Sequence, residues 1–268
     1  MISIQPKSRS AAGHKLQQEI LNTAPTPPKT FYESTWPDYI FAEIWSRPDL
    51  DRRSRYLIAI AGAASEAGCG KQLYGYIEGA LQSEYLTVEE LRESAVHCSI
   101  YNGWQSGEKI DVQTTEAVKA LELEDVALSP LCANTRLVSE RLASGAEEFS
   151  QVMTFPGPPA VTPYFEAGIL NFVFGEVWHR PPLSQRDRRW ITLVGVCNSS
   201  AENPIKTHIY GAMASGNCSV VEMQEFVLQY AVHGGWPKAS FAQSAVMEMA
   251  KMIEKNFTWD GVPKNTES

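Results

Sequence analysis

Apolar and polar positions follow a helical period along most of the chain. Arg53 to Ala67 carries Leu57, Ile58, Ala61 and Ala64 on one face, behind Asp51 as a candidate N-cap. Arg186 to Ser199 carries Trp190, Ile191, Val194 and Cys197, behind Ser184 with Asp187 three residues on. Helices over Lys71 to Ser83 and Ile205 to Ser215 follow, the second closed by Gly216. Thr87 with Glu90, and Ser219 with Glu222, have the spacing of capping boxes; they open helices that run to Tyr101 and His233 and stop at Gly-Trp pairs, 103/104 and 235/236. Final helices are predicted over 108–122 and 238–254. No stretch shows sustained period-two alternation between hairpin turns, so the pattern predicts an all-α fold.

The same pattern is written twice. YIFAEIWSRPDLDRRSRYLI (39–58) is echoed by FVFGEVWHRPPLSQRDRRWI (172–191) at a constant offset of 133 residues, with identical pairs such as Glu43/Glu176, Trp45/Trp178, Arg47/Arg180, Arg53/Arg186 and Arg55/Arg188. One residue is then skipped, and an offset of 132 aligns Gly79/Gly211, Glu90/Glu222, Glu93/Glu225 and Trp104/Trp236. A unit this long exceeds the roughly 20 to 50 residues of solenoid repeats, which implies two related small domains, 31–124 and 166–256. Residues 1–30 read as an extended or disordered arm. Residues 125–165 read as a joint with a helix over Asn134 to Phe149 and an extended stretch, FPGPPAVTP (155–163), and residues 257–268 as a loose tail.

Composition narrows the partners. Against 23 Lys and Arg stand 31 Asp and Glu, a net charge of −8, which disfavours nucleic acid and anionic membrane surfaces. The longest nearly uninterrupted apolar stretch, Leu57 to Ala64, is far shorter than a membrane span, and the start has no apolar signal segment. Five cysteines, Cys69, Cys98, Cys132, Cys197 and Cys218, never form a CxxC pair, which argues against a disulfide framework, a zinc site and a dithiol centre. A cytoplasmic protein acting on small molecules is the expectation.

Capping accounts for Glu90 and Glu222 but not for Glu93 and Glu225, which lie beyond the first turn. Glu93, His97 and Tyr101 share one helix face, as do Glu225, Gln229 and His233. Each stripe is either a solvated or buried network that fixes helix packing, or a carboxylate that orients a proton-transfer group. His208, whose counterpart is Tyr76, is either a surface histidine or a general acid. Arg53, Arg55, Arg186 and Arg188 stand in first helical turns, where a cation opposes the helix dipole. They and Arg47 and Arg180 therefore pair with acidic residues or with an anionic ligand. Trp45, Trp178, Trp104 and Trp236 are core or interface residues, or the wall of a pocket.

These motifs resemble the carboxymuconolactone decarboxylase family. The resemblance rests on GluIleTrpSerArgPro (43–48), ThrValGluGluLeuArgGlu (87–93) and TyrAsnGlyTrp (101–104) in the first copy. In the second it rests on GlyGluValTrpHisArgPro (175–181), HisIleTyrGlyAla (208–212), GluMetGlnGlu (222–225) and GlyGlyTrpProLysAla (234–239). It implies an AhpD-like all-α domain, duplicated in tandem, that self-associates as a trimer of tandem chains or a dimer. Alkylhydroperoxidase relatives use a CxxC, and the residues in those places, Ala201 and Pro204 in one copy and Cys69 and Gln72 in the other, cannot form that disulfide. The resemblance therefore implies the branch without cofactor or metal, acting on a lactone or other small carboxylic acid.

For such a decarboxylation His208 would be the acid, with Glu225 setting its state and Glu93 and His97 as the first-copy candidates. Arg180 or Arg186 would hold the carboxylate, and Trp178 and Trp236 would form an apolar wall, with Tyr210 and His233 as further substrate contacts. The first copy departs from the family pattern at Tyr76, Glu84 and Gln105. Isomerisation, dehydration or ring opening of a related acid, and a non-catalytic assembly protein, are the alternatives; a peroxidase-like role would rest on Cys69. A well-packed space around His208 would favour the assembly protein, and a pocket of several hundred cubic ångströms the enzyme.

Overall fold

The computed structural model describes residues 5–24, 26–65, 70–127, 130–131 and 137–264, and among these no strand is found beyond an isolated bridge between Phe257 and Pro263. The helices are α1 (Pro6–Leu21), α2 (Phe31–Thr35), α3 (Arg52–Ser65), α4 (Gly70–Gln82), α5 (Val88–Asn102), α6 (Trp104–Ala120), α7 (Val138–Met153), α8 (Gln185–Ser199), α9 (Glu202–Ala214), α10 (Val220–Gly234) and α11 (Trp236–Glu254). The all-α expectation holds. Both expected capping boxes are closed, Thr87 with Glu90 and Ser219 with Glu222, and a third joins Ser184 to Asp187.

Helices α3 and α8 form the centre. Every side chain from Ser54 to Ala64 and from Asp187 to Cys197 is buried, the mark of a helix enclosed on all sides. Each central helix meets the penultimate helix of the other half, α5 on α8 and α10 on α3. Glycine permits that approach: a Cβ at Gly195 would lie 2.5 Å from the Cβ of Tyr101, and one at Gly62 would lie 2.9 Å from that of His233. One hydrophobic cluster accordingly runs through both halves, from Phe41 and Leu57 to Trp190 and Phe226, so the joint does not separate two cores.

Two expectations are corrected. The arm contains α1, whose Ile20 is buried and whose Ile20 carbonyl accepts a hydrogen bond from the Tyr56 hydroxyl at 3.0 Å. Its inward face carries Ser10, Gly13, Leu16 and Ile20, too few large apolar residues to give a periodic signal. Helix α1 occupies the place that α7 takes in the second half. Gly13 and Gly145 are the matched crossings, where a Cβ would lie 1.8 Å from the carbonyl oxygen of Pro37 or of Leu170. The tail is also anchored in part: the Tyr210 hydroxyl donates to the Phe257 carbonyl at 2.7 Å, and Trp259 packs on the core.

Trp36–Trp45 and Tyr164–Phe174 are π-helical, with backbone bonds that span five residues instead of four. Phe41 and Trp45 of the first join the core around the central helices, whereas Phe174 of the second packs on Phe149 of α7 and on Trp178. The second also carries Phe165, Ile169 and Val173, at spacings of four, on the face that borders the cavity described next.

Candidate active site

The repeated arginines reach across the molecule. Arg47 and Arg55 hold Glu225, with Nε–Oε1 of 2.7 Å and Nη2–Oε2 of 2.9 Å; Arg180 and Arg188 hold Glu93 at 2.9 and 3.3 Å. Arg53 joins Asp187 to Glu90, and Arg186 joins Asp51 to Glu222. These cations thus oppose the helix dipoles because carboxylates of the other half face them. Burial raises the Glu93 carboxyl above its ordinary value although Arg188 and Arg180 oppose the rise, whereas Glu225 is held low by Arg47 and Arg55. Glu93, His97, Glu225 and Gln229 are thus buried and tied to arginines of the opposite half, whereas Tyr101 and His233, at the ends of the two stripes, border cavities.

His97 belongs to this network. Arg188 can only donate, so His97 Nδ1 accepts its hydrogen bond at 3.2 Å, which leaves the proton on Nε2 for Thr192 Oγ1 at 2.9 Å. Burial and the Arg188 charge push His97 well below the usual histidine range. Tyr210 anchors the tail, and Trp236, 56% exposed at the start of α11, does not line the cavities described below. Arg180 and Arg186 are engaged by carboxylates, and Glu225 by arginines, so none of the three meets His208.

His208 stands elsewhere, on the wall of a cavity of about 620 Å³. Phe149 and Met153 of α7 enclose one side, with Phe155 and Pro156 of the segment that follows. Phe165, Ile169 and Phe174 of the π-helical segment form the other side, and Val196, Pro204 and His208 form the floor. Trp178 is one layer behind, stacked on Phe174 at 5.8 Å, with its Nε1 donating to the Tyr101 hydroxyl at 2.9 Å. The His208 ring meets Tyr101 edge-on at 5.5 Å, and its Nδ1 is buried without a hydrogen-bond partner. Burial first, and the Arg189 charge second, bring its pKa down to about 3.

Arg189 was not among the expected site residues. Its guanidinium is fully buried, donates to the Val152 carbonyl and to Asn217 Oδ1, and lies over Trp178 at 5.5 Å. Nη1 has no hydrogen-bond partner, and among the described residues no carboxylate pairs with this arginine. Burial lowers it to about 10. The counterpart of Arg189 is Tyr56, which meets the Ile20 carbonyl as Arg189 meets that of Val152, and the counterpart of His208 is Tyr76. Where one half has two phenols, the other has a cation and an imidazole.

His233 occupies a second, more polar cavity of about 390 Å³ together with Lys238, Asn102 and Asn198. Its Nε2 is unpaired, and burial brings its pKa down to about 4. Of the cysteines, Cys98, Cys197 and Cys218 are buried thiols, each raised to about 12 by that burial; Cys69 and Cys132 lie outside the described residues.

The three depressed histidines make stability depend on pH. Unfolded, each protonates near 6.5; folded, each stays neutral further down, so the unfolded state binds more protons as pH falls below about 6.5. At pH 5 His208 and His233 are each expected to have removed about 2 kcal/mol relative to pH 7.5, and His97 adds to the loss in the same direction. Urea midpoints at the two pH values measure this loss, and His233→Gln should reduce it by about 2 kcal/mol. A midpoint that did not move with pH would contradict the neutral assignments.

No helix among the described residues is long and apolar enough to cross a membrane. No family model matches the chain. Over 92 residues, 34% of this chain, it is 28% identical to a protein named 4-carboxymuconolactone decarboxylase from Acinetobacter baylyi, and the match spans 65% of that protein's length, just under two-thirds. The similarity is that of a distant relative, and it is to a decarboxylase.

Proposed function

We propose that the protein is a cofactor-independent enzyme of acid–base type that decarboxylates a lactone or enol carboxylic acid in the His208 cavity. The observation that carries this reading is the pairing, beside one apolar cavity, of an imidazole whose Nδ1 lacks a hydrogen bond with a buried guanidinium that, among the described residues, lacks a carboxylate. A cavity of about 620 Å³ supports the enzyme over the assembly protein. The distant decarboxylase relative supports the same reaction class.

Arg189, behind the cavity wall, carries a positive charge felt at His208, whose imidazole is neutral. A substrate carboxylate answers that charge and, by its own, raises the affinity of His208 for a proton. When the bond to the carboxylate carbon breaks, carbon dioxide leaves and the electron pair stays on the substrate as a carbanion or enolate. Phe149, Phe165 and Phe174 exclude water, which favours a transition state whose charge is dispersing. The imidazolium then donates its proton to the carbon, and solvent restores it.

Lactone and enol acids offered to the purified protein in D2O should release carbon dioxide, leaving one deuterium at the vacated carbon. Exchange of substrate hydrogen for solvent deuterium without carbon dioxide release would convert the reading to an isomerase. Neither release nor exchange from any of these acids would end it.

A further inference from the structure

Resting on that acid–base reading, we infer that the substrate is an apolar, ring-bearing monoacid of about 20 non-hydrogen atoms, the number that fills this cavity at the density of a protein interior. A compact diacid is the class it excludes.

Three observations point there. The cavity encloses about 620 Å³, several times the volume of a small lactone acid, and no Asp, Glu, Lys or Arg stands among its lining residues. Most of its wall is Phe, Ile, Val, Met and Pro, surfaces that reward an aromatic or alicyclic body and leave a charged group without partners. Arg189, whose Nη1 has no partner and whose charge is felt at His208, balances one negative charge.

The orientation follows from the polar atoms. Tyr101, Ser199 and His208 come from the ends of α5 and α8 and from α9, and Tyr101, Gly195 and Ser199 are also shared with the polar cavity that holds His233 and Lys238. The acid group therefore belongs at the His208 and Tyr101 end, with the rings between Phe149, Phe165, Ile169 and Phe174. A second carboxylate on the same molecule would be stranded among those four side chains.

Calorimetric titration of the full chain with 1-hydroxy-2-naphthoate and anthracene-2-carboxylate, against muconate as a small diacid, tests this. The aromatic monoacids should bind at least tenfold more tightly. Ile169→Trp, which fills the partly exposed side of the cavity, should weaken them at least tenfold without lowering the melting temperature; Ala201→Phe, at the α9 end of the lining, serves if that variant does not fold. Muconate binding as tightly as the aromatic acids, or aromatic affinity unchanged when the cavity is filled, would overturn the substrate class. Calorimetry reads no chemistry, so carbon dioxide release from a diacid with no aromatic-acid binding would remove this inference and leave the acid–base reading standing.

Discussion

Replacing His208 by alanine should lower kcat by about 100- to 10,000-fold, the usual worth of a positioned proton donor, while KM changes little. The apolar wall and Arg189, which would hold the ground state, remain. Because the His208 Nδ1 has no partner, its removal orphans no buried donor or acceptor, so the folded state should survive. His233→Ala, in the neighbouring polar cavity, is the control and should retain turnover. Turnover by His208→Ala within twofold of the parent would remove the assignment.

The largest loss of stability should come from Glu93→Ala. Arg188 is fully buried and its guanidinium is held by Glu93, His97 and the Arg180 carbonyl; without the carboxylate its charge stays in the core with no counter-ion. Breaking a buried pair from one side costs about 3–5 kcal/mol, or a melting temperature lower by about 10 °C at this chain length. Arg53→Ala, at a site 30% exposed, should cost about 1 kcal/mol or less. Replacing both partners, as Arg188→Met with Glu93→Leu, should recover most of the loss. A melting temperature unmoved by Glu93→Ala would show that the pair does not hold the halves together.

What could be read from the chain was what is local. Capping boxes need only residues three apart, and helices α3 to α6 and α8 to α11 follow from periodicity. The ion pairs were half visible: arginines set against helix dipoles demanded partners, but which partners depends on α5 and α10 crossing to the opposite central helix. Arg189 was not legible in the identical pairs, because it stands where the halves differ, against Tyr56, as His208 does against Tyr76. Its signal was nevertheless present, since a helix as apolar as 190–197 buries its neighbours on every side. The cavity walls were also hidden. They come from α7 and Phe155 to Pro158, which read as a joint, and from a π-helical segment whose spacing no 3.6-residue pattern detects.

The crossed ion pairs also bear on how the chain is made. Arg47 and Arg55 wait for Glu225, 178 and 170 residues later, and at ribosomal speed that is a delay of roughly 10 to 35 s. During that interval the emerging first half has its inward-facing cations and the open flank of α3 without their cover. A fragment ending at the joint would leave them so permanently, and this makes each half the other's chaperone during synthesis.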